Sequence, residues 1–133
     1  MTGRSGTLVL DCEGLSKVVT DDREVMALVR GAEKEDMRVV TSVLTLIEAH
    51  HPRVNSARFN WAVSRLNVDP VTEEIGRTAM ALLIDAGLHG HKYAIDAVVA
   101  ATALHAPKPA VVVTSDPEDL AMLCGERVRI VKV

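Results

Sequence analysis

An α/β fold with a mainly parallel central sheet is what this sequence predicts, and three observations lead there. Short apolar runs alternate with longer stretches of helical periodicity along the whole chain. The runs at residues 7–10 (TLVL) and 110–113 (AVVV) are continuous where a half-exposed strand would alternate, as suits parallel strands covered on both faces. No Gly/Ser/Pro linker or internal repeat interrupts the 133 residues, so residues 1–133 read as a single domain with helices layered on a sheet of four to five strands, an α/β/α sandwich.

The first strand, 7–10, ends in Asp11, and helical patterns follow at 14–20 and 22–33. A second apolar run at 38–41 leads into a helix at 43–50, and a further helix is expected at 53–65. A weaker strand lies at 66–68. Over 72–86 the apolar positions Ile75, Ala79, Leu82, Leu83 and Ala86 recur at helical spacing, and Gly87 stands where a helix C-cap belongs. The Ala- and Val-rich segment at 93–105 stops before Pro107. After the strand at 110–113, Asp116-Pro117-Glu118-Asp119 has the order of an N-cap, a first-turn proline and first-turn acids, opening a helix at 117–123. A last apolar run occupies 127–133.

The totals exclude several function classes. Phe59, Trp61 and Tyr93 are the only aromatic residues, too few for a binding mode based on base stacking. Fifteen basic against 18 acidic residues leave a net charge of −3, so the molecule as a whole does not attract nucleic acid and a local basic rim would have to do so. Cys12 and Cys124 stand far apart and form no zinc or disulfide pattern. Reduced thiols, an N-terminal apolar run too short for a signal peptide, and no stretch near the roughly 18 apolar residues of a membrane span suggest a soluble, cytoplasmic protein without membrane contact. His50 and His51 diverge on a helix while His89 and His91 flank Gly90, which leaves a histidine-only zinc site without support. There is no nucleophile elbow, P-loop or dinucleotide fingerprint.

What stands out is where the acids fall. Ligands of an open parallel sheet bind beyond the carboxyl ends of its strands, and Asp11 and Asp116 both follow apolar runs at that edge. Each also has a local reading, Asp11 in a polar turn and Asp116 as a helix cap. Asp96 lies among Ile95, Ala97, Val99, Ala100 and Ala103, which is no solvated helix face, and Glu48 follows Leu44, Leu46 and Ile47 at the boundary of a core. Two carboxylates about 4 Å apart repel by roughly 4 kcal/mol at an effective dielectric near 20, so such a set must take up protons, gain basic partners or bind a cation. No Lys or Arg adjoins Asp11, Asp96 or Asp116 in sequence. Hard oxygen donors without clustered Cys or His favour magnesium or manganese.

With these residues in order, a strand ending in Asp11, Glu48 on the helix after the second strand, "IDAVVAATAL" with Asp96 and "VVVTSDPEDL" with Asp116, the chain resembles PIN-domain proteins, above all the VapC-type toxins of bacterial toxin–antitoxin pairs. The resemblance covers residues 7–133. It implies a PIN-like α/β/α fold and an endoribonuclease dependent on Mg2+ or Mn2+. Asp11, Glu48 and Asp96 match the three core acids and Asp116 the fourth; Asp11, Asp96 and Asp116 would hold the metal, and Glu48 would orient the attacking water or complete the shell. Thr114 matches a supporting hydroxyl, and Asp119 is an additional candidate. The resemblance also implies an RNA substrate, a cognate antitoxin and a homodimer. It departs from the family pattern just after the first acid, where Cys12 and Glu13 replace small hydroxyl or amide residues.

Arg23, Arg30, Arg53, Arg58, Arg65 and Lys92 are the candidate phosphate contacts, and "FNWAV", with Phe59 and Trp61, is a candidate apolar anchor for a partner. The alternative reading is a catalytically inactive, regulatory or protein-binding PIN-like domain. A receiver-type domain also gathers acids at strand ends, but a lysine-bearing loop would follow a late strand, whereas Lys108 precedes the strand at 110–113.

Overall fold

The structure, a computed structural model, describes residues 6–133. In chain order these form β1 (Thr7–Leu10), α1 (Cys12–Val19), α2 (Arg23–Lys34), β2 (Arg38–Ser42), α3 (Val43–Ala49), α4 (Ser56–Ser64), β3 (Asn67–Asp69), α5 (Glu73–Ala86), α6 (Gly90–His105), β4 (Ala110–Thr114), α7 (Pro117–Cys124) and β5 (Arg129–Lys132). The strands make one sheet in the order β3-β2-β1-β4-β5, and every neighbouring pair is parallel.

The fully apolar strands acquire two faces from the period of two along each strand. Leu8 and Leu10 point into a core shared with Leu15, Val18, Val25, Val29 and Phe59, whereas Val9 points into the opposite core with Ile75, Leu82, Val99 and Leu120. Register keeps the alternation in phase across the sheet. Val9 pairs with Val40 on one side and Val112 on the other, all three in the second core, and Leu10 pairs with Val113 in the first. A slip of one residue would exchange the faces of a whole strand. The result is the expected α/β/α sandwich, with α1, α2 and α4 over one face and α5, α6 and α7 over the other.

Element ends differ from the sequence expectations for identifiable reasons. The first helix starts at Cys12, two residues early, because the Asp11 carboxylate accepts from the Gly14 N–H and caps it. The helix expected from 53 starts at Ser56, because Asn55 caps it by accepting from the Arg58 N–H. The helix expected from 93 reaches back to Gly90. The last strand is shorter than the apolar run, because Arg127 closes the end of α7, its N–H and Nε both donating to the Cys124 carbonyl. Gly87 ends α5 in the left-handed conformation, as its position suggested. Phe59, a candidate partner anchor, is instead buried in the core under α1 and α2.

From β1 the chain builds outward through β2 to β3, then returns to lay β4 against the other side of β1 and continues to β5. The strand order therefore reverses between β1 and β4, and the carboxyl ends of these two strands flank the crevice that such a reversal leaves.

Leu15, fully buried where α1 meets the first core, is the plainest test of this packing. Leu15→Ala is expected to lower the unfolding free energy by about 2–5 kcal/mol in urea titrations, with little change in far-UV circular dichroism of the folded state.

Candidate active site

Asp11 occupies the carboxyl end of the central strand. Its backbone N–H donates to the Val113 carbonyl at 3.1 Å, extending the β1–β4 ladder by one residue, and the preceding Leu10 carbonyl accepts from the Thr41 hydroxyl at 2.8 Å. The side chain is only 8% exposed. It accepts from the Gly14 N–H at 3.0 Å, and the Thr114 hydroxyl and the Glu13 N–H stand close enough to favour its charged form. The helix can turn this tightly because position 14 is glycine, where a Cβ would lie 3.2 Å from the Val113 carbonyl oxygen. Burial pushes the Asp11 carboxyl above its ordinary value, and the donors from Gly14, Thr114 and Glu13 pull it part of the way back.

Thr114, the last residue of β4, joins two of the acids. Its buried hydroxyl accepts from the Asp116 N–H at 2.9 Å and stands beside the Asp11 carboxylate, favouring its charged form. Asp116 stands at the N-cap of α7, yet its side chain makes no capping hydrogen bond and is exposed. The capping role suggested by Asp-Pro-Glu-Asp is therefore not exercised by its carboxylate, whereas Asp11 does act as a cap.

Glu48 and Asp96 reach the same edge from opposite layers. Ser42, at the end of β2, caps α3 by accepting from the Leu44 N–H at 3.2 Å, and five residues along that helix Glu48 stands beside the Cys12 thiol, which favours its charged form. Glu48 is exposed overall, but burial against its neighbours raises it first, with Asp11 and Asp116 adding repulsion and the thiol opposing them. Asp96 is half-buried on α6, the helix that buries more residues than any other of the fold. Burial, then repulsion from Asp119, Glu48, Asp116 and Asp11, carries it from 3.8 to about 6. Cys12, beside Glu48 and Asp11, is pushed up to about 11 by burial and by those charges, so its sulfur stays protonated as a donor.

Asp11, Glu48, Asp96 and Asp116 thus lie within electrostatic reach of one another, with Asp119 beside Asp96, and among the described residues none of the five makes a salt bridge to a cation. They face each other across the rim without closing upon one point: no three His, Cys, Asp or Glu side chains among the described residues converge tightly enough to hold a metal ion as they stand. Sequence reasoning missed two neighbours. Cys12 supports Glu48 directly. Lys132, paired in register with Thr114 at the end of β5, lines a cavity of about 220 Å³ together with Asp116 and Asp119. The parallel topology was the available signal for Lys132, because it brings the carboxyl ends of all the strands to one edge. The histidines serve elsewhere, His50 packing edge-on against Phe59 at 4.8 Å and His105 bonding Thr78 at 2.7 Å.

The electrostatics make the site costly to the fold. Asp96 in the folded chain holds its proton to about pH 6 while the unfolded chain loses it near 3.8, so stability declines as pH rises through that interval and stays lower above it. Asp96→Asn is therefore expected to raise the melting temperature at pH 7.5 by a few degrees, on the order of 1 kcal/mol after allowance for its half exposure, with the advantage gone at pH 3.5. Thermal melts at the two pH values decide it.

No protein-family model matches this chain, and no curated protein matches it in sequence. Solved structures do match. The chain aligns with one in VapBC2 from Rickettsia felis bound to a DNA fragment from their promoter, with a TM-score of 0.71 and 13% identity over 96% of this chain and 98% of the other. It also aligns with one in a toxin–antitoxin complex from Klebsiella pneumoniae, with a TM-score of 0.66 and 20% identity over 95% and 99% of the two chains. At such identities the likeness speaks for the fold, and the PIN-like α/β/α fold read from the sequence is the fold this chain has.

Proposed function

We propose that this chain is a metal-dependent endoribonuclease, a VapC-like toxin that hydrolyses RNA phosphodiester bonds through Asp11, Glu48, Asp96 and Asp116. The observation that carries the reading is the acidity of the rim: a buried carboxylate at the switch point, surrounded by further carboxylates, none of which forms a salt bridge among the described residues. The donor set consists of hard oxygens, which suits magnesium or manganese, and its members already sense one another's charge. Asp11, Asp96 and Asp116 would hold the ion, with Asp119 beside Asp96 as a further donor.

When bound, a divalent ion supplies Lewis acidity toward the phosphodiester and an activated water. The protein's own groups have separate tasks. Asp11, buried and bonded to the Gly14 N–H, defines the position of the centre, and Thr114 holds the Asp116 backbone beside it. Glu48, steadied by the Cys12 thiol, orients the water that adds to phosphorus as the leaving P–O bond breaks, giving a phosphomonoester and a hydroxyl. The partners on this reading are a cognate antitoxin, as found with the matched structures, and a second copy of the chain in a homodimer, all in the cytoplasm. Among the described residues no helix is long and apolar enough to cross a membrane.

A second reading, a catalytically inactive PIN-like regulatory or protein-binding domain, draws on the absence of three converging ligands among the described residues. Manganese separates the two. The active reading expects saturable manganese binding by calorimetry, a melting temperature several degrees higher at saturating metal, and neither effect in Asp96→Asn. It also expects Asp11→Asn to lose at least about 100-fold in manganese-dependent RNA cleavage while circular dichroism stays that of the parent. Full activity in Asp11→Asn overturns the assignment, and no manganese binding by the parent chain favours the inactive domain.

A further inference from the structure

A cavity of about 390 Å³ opens beside the acidic rim, between α1, α3 and the segment that leads into α4. Its near end belongs to the rim's own elements. Ala49 directly follows Glu48, and Ser16 lies one helical turn, about 6 Å, beyond Cys12 on α1. The buried side chains of Val19 and Ala49, with Val54, give it an apolar floor, while Arg53 and Arg58 supply two positive charges. No Asp or Glu lines it, although acidic residues outnumber basic ones in the chain.

Arg58 is set in place before any ligand arrives. Its Nε donates to the Val19 carbonyl at 3.0 Å, and its guanidinium lies 4.6 Å from the centre of the Trp61 ring. An arginine held by a carbonyl and an aromatic face loses little freedom when it meets a phosphate, and its flat fork suits two phosphate oxygens. Arg53 is exposed and its side chain has no ion pair or hydrogen bond among the described residues.

We propose that this cavity is a nucleotide subsite of the reaction centre: a nucleotide flanking the scissile bond lays its base on the apolar floor, and Arg58 and Arg53 take the adjoining phosphate. The proposal rests on the ribonuclease reading and names the part of the RNA that the cavity grips. Charge selects the occupant, since an acidic rim repels a polyanion and needs a positive surface within one step of it to retain the strand. An apolar surface with arginines beside it also matches how unstacked bases of single-stranded RNA are held.

The test uses the full chain, manganese and a short, mixed-sequence, single-stranded RNA bearing a fluorophore, with cleavage followed across a range of salt concentrations. Arg53→Ala/Arg58→Gln is expected to raise KM roughly tenfold, more than it lowers kcat, and to make the slope of log affinity against log salt shallower by about 1.4, the value for two lost single-strand phosphate contacts. Manganese affinity by calorimetry should remain that of the parent. Arg53→Ala alone, which removes no contact within the fold, should change the slope by about half as much and serves if the double variant does not fold. Unchanged KM and salt slope in a folded double variant overturn the subsite while leaving the nuclease intact. The same unchanged kinetics with loss of inhibition by an antitoxin protein make the cavity a protein-docking groove, which also overturns it. A parent chain that does not cleave RNA with manganese removes the nuclease reading and the subsite with it.

Discussion

The burial of the Asp11 carboxylate at the end of the central strand is the constraint to which the neighbouring elements conform. Placing an acid there requires a donor close by, which the first turn of α1 supplies through the Gly14 N–H, while Thr114 at the end of β4 stands beside the carboxylate and the β1–β4 ladder holds the Asp11 backbone, whose N–H donates to Val113. Each of these elements imposes a condition of its own. The helix must begin at once after the strand, which brings its third residue against Val113 and admits only glycine comfortably. The strand beside β1 must end in a hydroxyl, which is Thr114. These conditions hold the acid against a desolvation that would otherwise keep it protonated, and leave it as an ionisable group facing others of the same sign.

The rim gathers its members from both helical layers as well as from the sheet. Glu48 arrives from the layer of α1 and Asp96 from the layer of α6, while Asp11 and Asp116 come from strand ends. Such an origin explains why the centre lies at the edge and not in a core: the carboxyl edge of the sheet is where both layers and the sheet can all contribute side chains. It also explains the choice of Ala for so much of α6. Seven consecutive buried residues from Ala97 to Ala103, four of them Ala, let the helix sit close to the sheet and carry Asp96 up to the rim.

Much of this was legible from the chain alone, for physical reasons. Continuous apolar runs such as residues 110–113 announce strands covered on both faces, and Asp96 among alanines announces an acid held out of water. Two helix starts were misplaced where a cap decided them, at Asp11 and Asn55, because apolar periodicity says nothing of a single side chain bonding a backbone N–H. Phe59 was misjudged because one face of a short helix cannot be assigned from its own sequence when both flanking segments are polar. Lys132 escaped notice because its relation to Asp116 exists only through the pairing of β4 with β5, and the contact between Cys12 and Glu48 only through the packing of α1 on α3.

The hydroxyl of Thr114 stands beside the Asp11 carboxylate and accepts from the Asp116 N–H, so toward Asp116 it engages the backbone and not the carboxylate. Two acids next to one side chain are treated unequally: the first is buried and bonded to the Gly14 N–H, while the second is tethered by its main chain and leaves its carboxylate exposed and without a capping bond. The rim has a stationary post and a swinging arm, and an arrangement of that kind can follow an incoming group through changes in its size and charge without disturbing the strand that bears the post.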